Sequence, residues 1–266
     1  MRIAFIGGGT MAEAMITGIL ERGLARPTDL AVGEPLEGRR TFLTQKFGIP
    51  AVASNPQAAA GSDLVVLAIK PQDLKAVFQD LKGVLRPGQV AVSIVAGARL
   101  ETIIQGLGHK QVVRVMPNTP AQVGMGMSVW TATSEVPAER REQVRNLLRS
   151  FGEEVYVSDE KYLDMATALS ASGPAFVFLC IEALIDAGVH IGLPRDMARQ
   201  MAVQTVLGSA HMVKQTGRHP ADLKGMVASP GGTTVEGLLA LEEGGVRASL
   251  IKAVRSAYEK AKALGA

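Results

Sequence analysis

Cysteine is nearly absent. Cys180 stands alone among 266 residues, which excludes an internal disulfide and any cysteine-ligated zinc site. It lies within the apolar run PAFVFLCIEALI and reads as a small buried hydrophobe rather than a nucleophile. Aromatic residues make up only 4% of the chain, so the cores must be built from Ala, Val, Leu, Ile and Met. A strong net charge is missing too: the formal value is +3, with basic residues scattered and no basic stripe interleaved with aromatics. Such a field argues against nucleic acid as a partner. No apolar run approaches the length of a membrane span, and the opening MRIAFIGGG is a strand ending in glycines rather than a signal peptide. The expectations are no membrane, no metal and a reducing, cytoplasmic location. His109, His190, His211 and His219 all read as loop or helix-surface residues, so none stands out as an acid catalyst.

What is present is an ordinary globular balance, 47% apolar and 20% charged, divided between two grammars. Up to about residue 157, short apolar runs (RIAFI, DLAVGE, DLVVLAIK, QVAVSIV, QVVRVM) alternate with segments such as MAEAMITGILERG, whose apolar residues recur at three-and-four spacing. Strands apolar on both faces belong to a parallel sheet covered by helices on each side. The fold class expected is therefore α/β, with a Rossmann-type doubly wound parallel sheet over residues 1–157 and an all-α domain over 158–266. In the second half, helices are expected at roughly 160–171, 174–189, 194–215, 220–227, 233–243 and 246–263, with Pro194 as a start signal and Gly217 as a stop. Helix 174–189 is apolar almost all round except for Glu182 and Asp186, more than a helical half of this size can cover alone. Subunits are therefore expected to pack through this half as a homo-oligomer.

Strand 2–6 runs into GGGTMAEAM, which gives the pattern Gly7-x-Gly9-x-x-Ala12. Gly7 permits a tight strand-to-helix turn, Gly9 lets a pyrophosphate approach the backbone, and Ala12 is small enough to pack helix on sheet. The anion then sits on free amides at the start of helix 10–22, assisted by the helix dipole. A dinucleotide is the expected cofactor, either NADPH or NADH. The second strand ends at VGEPLEGRR, where Glu34 suits ribose hydroxyls while Arg39 and Arg40 suit a 2′-phosphate, and the preference stays open. Strand ends at AIKP and IVAGA place Lys70, Pro71, Ala96 and Gly97 in the same crevice. Asn55 reads either as a ribose contact or as a helix cap.

A hydroxyacid dehydrogenase of this domain order is expected to carry a lysine on the first long helix of its helical half, and SASGPAFVFLCIEALIDAG contains none, which tells against carbonyl chemistry. An imine needs less help: its nitrogen arrives protonated, and the protein has mainly to position the ring. If the substrate also bears a carboxylate, the site needs an anion cradle. SPGGTT supplies one, with hydroxyls from Ser229, Thr233 and Thr234 and free amides at the start of helix 233–243. Thr233-x-x-Glu236 is also a capping box, which needs no ligand, but capping does not account for Ser229, Pro230 or the paired Gly231 and Gly232. The competing readings are a β-hydroxyacid-type dehydrogenase, which lacks its lysine here, and an NAD(P)-binding sensor, which has no use for SPGGTT.

Several stretches carry a resemblance over essentially the whole chain: FIGGGTMAEAM, AIKP, MPNTPAQVGMG, LSASGPAFVF and HPADLKGMVASPGGTTVEGLLALE. In these the chain resembles the Δ1-pyrroline-5-carboxylate reductase family, the last being close to that family's signature. The resemblance implies a Rossmann domain, a helical domain that intertwines into a dimer, further assembly into a decamer, and reduction of the cyclic imine carboxylate to L-proline by NADPH or NADH. It implies that Thr233 and Thr234 hold the substrate carboxylate and ring nitrogen, with Thr234 the catalytic hydroxyl nearest the imine, alongside Ser229, Gly231 and Gly232. It places Glu160 toward the substrate amine and Ser172 near the same pocket. It assigns cofactor contacts to Ile6, Gly7, Gly8, Gly9, Thr10, Met11, Glu34, Asn55, Ala68, Ile69, Lys70, Pro71, Val95, Ala96 and Gly97. The chain departs from the family's common pattern with Gly33-Glu34 in place of serines, with Met226 where some members carry Asn, and with Ala171 in SASGP in place of Gly.

Overall fold

The computed structural model describes residues 1–264. The apolar runs form strands β1 (Ile3–Ile6), β2 (Leu30–Gly33), β3 (Ala51–Val52), β4 (Leu64–Leu67), β5 (Val90–Ser93) and β6 (Val112–Met116), joined by β7 (Gly126–Ala132) and β8 (Gly152–Tyr156). All eight share one sheet in the order β3-β2-β1-β4-β5-β6-β7-β8. The strands from β1 to β6 are parallel, with Ile3 opposite both Leu30 and Leu64. Chain order reverses between β1 and β4, which opens a crevice at their carboxyl ends.

The helices of this part are α1 (Thr10–Glu21), α2 (Glu37–Phe47), α3 (Asn55–Ala59), α4 (Leu74–Leu81), α5 (Leu100–Leu107), α6 (Ala138–Arg149) and α7 (Lys161–Ala166). Alternate strand residues sort into two buried clusters, one on each face of the sheet. Phe5, Val66, Val92 and Val115 meet Ile16 and Ile19 of α1 and Leu147 of α6 on one side. Ile6, Val65, Leu67 and Ala91 meet Val77 of α4 and Ile103 of α5 on the other. Each fully buried Leu or Ile side chain contributes about 1.5–3 kcal/mol, so this two-sided burial is what holds the sheet.

One expectation needs correction at the sheet's far edge. β7 runs antiparallel to β6, with Val113 opposite Ala132, and β8 follows β7 in parallel. A 3₁₀ turn at Thr119–Val123 reverses the chain in a short connection, so no crossover helix separates β6 from β7. Trp130 of β7 is fully buried and donates Nε1–H to Glu154 Oε2 at 2.7 Å, which ties β7 to β8.

The second part contains α8 (Gly173–His190), α9 (Arg195–Thr216), α10 (Pro220–Val227), α11 (Thr233–Glu243) and the start of α12 (Val246–Leu264). Gly217 ends α9 with φ of +61°, and Pro194 is the cap before α9 rather than its first residue. Packing divides the chain into one compact unit of residues 1–172 plus the chain from Ala257 onward, and another of residues 173–256. The strand grammar ends at residue 157, but the first unit runs on. Leu163 of α7 is buried, and Arg114 of β6 binds Glu160 at 2.8 Å and Asp164 at 3.1 Å. α7 therefore belongs with the sheet.

Two readings of the helical half are also corrected. Cys180 is exposed, because α8 buries none of its residues within a single chain; Phe178 and Leu179 remain 61% and 64% exposed. The stretch Lys161–His190 is, moreover, long and apolar enough to cross a membrane by length and composition. Separate helices are expected at 160–171 and 174–189, but helical structure continues past Pro174 and joins the two apolar runs into one.

Candidate active site

The turn after β1 is built by close backbone approach. Gly7 has φ of +94°, and a Cβ there would stand 2.6 Å from the Ala68 carbonyl oxygen, so the position admits only glycine. Its N–H donates to Gly33 O at 2.8 Å, which draws the ends of β1, β2 and β4 together. Gly9 caps α1 without a side chain, and the first amide to close on it is that of Glu13, at 2.9 Å. The amides of Thr10, Met11 and Ala12 are left without helical partners. Around Gly9 nothing lies within 4 Å of a Cβ position, so the start of α1 stands beside open space. Buried Ile6 anchors the strand below.

Glu34 follows β2 directly and is 92% buried, its exposure being 8%. Its carboxylate accepts the Gly8 N–H at 2.9 Å and the Leu36 N–H at 3.0 Å. The two arginines are held here as well. Arg39 donates Nε–H to Gly8 O at 2.5 Å and pairs with Glu13, while Arg40 donates to the carbonyls of Glu34 and Pro35 at 2.9 and 2.7 Å. Burial pushes the Glu13 carboxyl upward, but hydrogen bonds from Lys46 and Arg39 outweigh it and hold the group below the ordinary Glu value.

Asn55 sits against the end of β2: its Oδ1 is 2.7 Å from where a Cβ on Gly33 would be, so the small residue before Glu34 makes room for it. The cap of α3 is Ser54, whose hydroxyl accepts the Gln57 N–H at 3.3 Å, which removes the capping reading of Asn55. Asn55 instead donates to Asp80 at 2.9 Å. After β4, Ala68 and Ile69 back the glycine turn, and Lys70 precedes a 3₁₀ turn beginning at Pro71 with no ion pair among the described residues. After β5, Val95 is buried and Ala96 exposed, and Gly97 has φ of +76° with Leu264 O 2.9 Å from its Cβ position. The expected cofactor residues thus converge on the carboxyl ends of four adjacent parallel strands.

The second turn lies in the helical unit. Gly231 has φ of +67°, and a Cβ on Gly232 would fall 2.5 Å from Ser229 Oγ. Gly232 N–H closes the turn on Ser229 O at 3.0 Å. Gly232, not Thr233, is the cap of α11, and no side chain caps the helix; the capping-box alternative is overturned. Thr233 and Thr234 are then the first two helical residues, and the first amide to close on Gly232 O is that of Val235 at 3.0 Å. Two hydroxyls and two free amides stand at the positive end of a helix with Glu236 as its only first-turn acid.

Glu160 and Ser172 belong to the first unit. Glu160 Oε1 accepts the Leu100 N–H at 2.7 Å as well as the Arg114 guanidinium. Ser172 donates its N–H to Thr167 O at 2.9 Å, the closing bond of a π turn over Thr167–Ala171. Arg114 is the residue that a reading of the sequence passes over. The signal was available, since a cation inside the buried run QVVRVM needs carboxylate partners.

Both halves have recognisable relatives. Residues 160–264 match a family model described as pyrroline-5-carboxylate reductase dimerisation, and residues 2–97 match one described as NADP oxidoreductase, coenzyme F420-dependent. A pyrroline-5-carboxylate reductase of Synechocystis sp. is 41% identical over 266 residues, which is 100% of this chain and 98% of that one. The chain belongs to the pyrroline-5-carboxylate reductase family. Among solved members, the reductase of Coxiella burnetii aligns with a TM-score of 0.93 at 35% identity, covering 100% of this chain and 98% of that one. The Plasmodium falciparum pyrroline carboxylate reductase, solved with NADP bound, gives 0.90 at 33% identity with the same coverage, 100% and 98%. As in the family, this reductase joins an N-terminal dinucleotide-type sheet to a helical dimerisation region.

Proposed function

We propose that this chain reduces 1-pyrroline-5-carboxylate to L-proline with NADPH or NADH, the last step of proline biosynthesis. The observation that carries the reading is full-length likeness at 41% identity, within which both glycine turns fall. The residues around the first turn suit a dinucleotide: the free amides of Thr10 and Met11 take the pyrophosphate, with Gly8, Ile69, Pro71 and Val95 shaping the walls and Glu34, Asn55 and Lys70 at the rim. When bound, the reduced dinucleotide supplies the hydride.

The chain's own contribution is grip and orientation. Amides at the start of α11, with the hydroxyls of Ser229 and Thr233, hold the substrate carboxylate; each bond to the anion is worth about 1.5–3 kcal/mol, and the helix dipole adds about 0.3–1 kcal/mol. Thr234 places its hydroxyl at the ring nitrogen. The nitrogen arrives protonated, so the imine carbon accepts hydride and no side chain has to donate a proton. Glu160, whose Oε2 is not used by Arg114 or Leu100, and Ser172 complete the substrate set. The functional division proposed is 1–157 for the dinucleotide and 158–266 for substrate and dimerisation.

The uncovered apolar face of α8 meets a second copy of the chain rather than lipid, and dimers assemble further into a decamer in the cytoplasm. Dinucleotide oxidation in the presence of pyrroline-5-carboxylate tests the reading. Turnover with formation of L-proline is expected, and no rate above buffer with either dinucleotide overturns it.

A further inference from the structure

The helical stretch that leaves the sheet passes through Pro174 at a point where a regular helix would require the N–H of residue 174 to bond Ser170 O. Proline has no N–H, so that carbonyl loses its helical partner. The chain responds with the π turn at Thr167–Ala171, closed by Ser172 N–H on Thr167 O at 2.9 Å. The orphaned Ser170 carbonyl is taken up from outside the helix. Asn118, in the loop after β6, donates Nδ2–H to Ser170 O at 3.2 Å and to Ser170 Oγ at 3.3 Å. The other end of the same amide, Oδ1, accepts the Met127 N–H at 2.8 Å. A backbone amide can only donate, so the orientation of the Asn118 side chain is fixed. One half-buried residue thus clasps the start of β7 to the π turn two residues before Ser172.

We propose that Asn118 is a positioning residue: by satisfying the carbonyl that Pro174 orphans, it keeps the π turn and so sets where Ser172 stands for the substrate. The substrate part rests on imine reduction as the activity. Asn118→Asp is the sharp test, because it keeps the acceptor for Met127 and replaces only the donor facing Ser170. It is expected to raise KM for pyrroline-5-carboxylate about tenfold with kcat and dinucleotide Kd held within about twofold, and to speed hydrogen exchange at the Ser172 amide. The double variant Asn118→Asp, Pro174→Ala, which keeps the acceptor for Met127, separates positioning from folding. The second substitution restores the missing N–H, the turn tightens to regular α-helix, and Ser172 rotates about the axis; thermal stability should return to near wild type while KM stays raised. A wild-type KM in Asn118→Asp, recovery of both stability and KM in the double variant, or a parallel loss of dinucleotide affinity overturns the proposal. If the wild-type protein does not turn over the imine, the functional reading fails instead. Exchange at Ser172 then decides the clasp alone, and an unchanged rate in Asn118→Asp overturns it.

Discussion

A Cβ on Gly7 would stand 2.6 Å from a backbone carbonyl, whereas a Cβ on Gly231 would meet nothing within 4 Å, although both glycines hold positive φ. The two turns share composition and differ in what shaped them. The first is pressed between three strands, and its Gly8 amide is already taken by Glu34, so its glycines answer the packing of the sheet as much as any ligand. The second is open, closed only on its own Ser229, and followed by a helix start that no side chain caps. Gly231 serves the turn's own backbone angle and Gly232 makes room for Ser229, so what the second turn leaves to a ligand is the uncapped helix start beyond it. On the proposed reading, the cofactor falls to a turn that also carries structure, and the substrate to a turn that carries little.

The largest effect that would sharpen this contrast is expected at Thr234. Thr234→Ala should lower kcat/KM for pyrroline-5-carboxylate about a hundredfold, the loss seen when one aimed donor is removed from a reacting group, with dinucleotide affinity by titration unchanged. Equal loss of both would make the residue structural. Next come the glycines themselves. Gly7→Ala forces a strained φ and a backbone clash, with an expected cost of about 2 kcal/mol in denaturant unfolding. Gly231→Ala meets strain without the clash and should cost about 1 kcal/mol, and equal costs would break the distinction between the turns. A smaller effect than at Thr234 is expected at Glu34, whose buried carboxylate would, on the proposed reading, repel a 2′-phosphate. Glu34→Ser should raise the ratio of NADPH to NADH efficiency about tenfold, read from kcat/KM with each dinucleotide.

The smallest expected effect belongs to Glu13, which braces α1 through Arg39 and Lys46. Its carboxyl is held below the ordinary Glu value in the folded chain, so its contribution is present above the unfolded pKa and lost as pH falls through the lowered folded one. Glu13→Gln should cost at most about 1 kcal/mol at neutral pH, and the difference from wild type in thermal unfolding should vanish in acid.

Legibility in the sequence followed the strength of local signals. The runs of β1, β4, β5 and β6 are apolar at every position, or nearly so, and two-sided burial is what such runs mean. Pro220 and Val227 bound α10 as read, and so do Thr233 and Glu243 for α11. β7 was not legible as antiparallel, because GMSVWTA mixes polar and apolar residues and its direction depends on the 3₁₀ turn that precedes it. Cys180 misled because an apolar run implies burial without saying which chain provides it. In the first turn, spacing alone pointed to Gly7 at the tight bend and to Ala12 as the small residue buried where α1 packs on the sheet. The cap of α11 went unread because Thr233 and Gly232 are equally plausible as letters and differ only in backbone geometry. Arg114 and Asn118 act across 46 and 52 residues, on Glu160 and Ser170, and no local pattern reports a pairing at that range.

The most direct measurement is a crystal structure of the dimer with dinucleotide and L-proline bound. The expected result is the proline carboxylate on the amides and hydroxyls of Thr233 and Thr234, with the ring nitrogen at Thr234 and its ring carbon against the nicotinamide. Proline bound away from the start of α11, or separated there from the dinucleotide by protein, would contradict it.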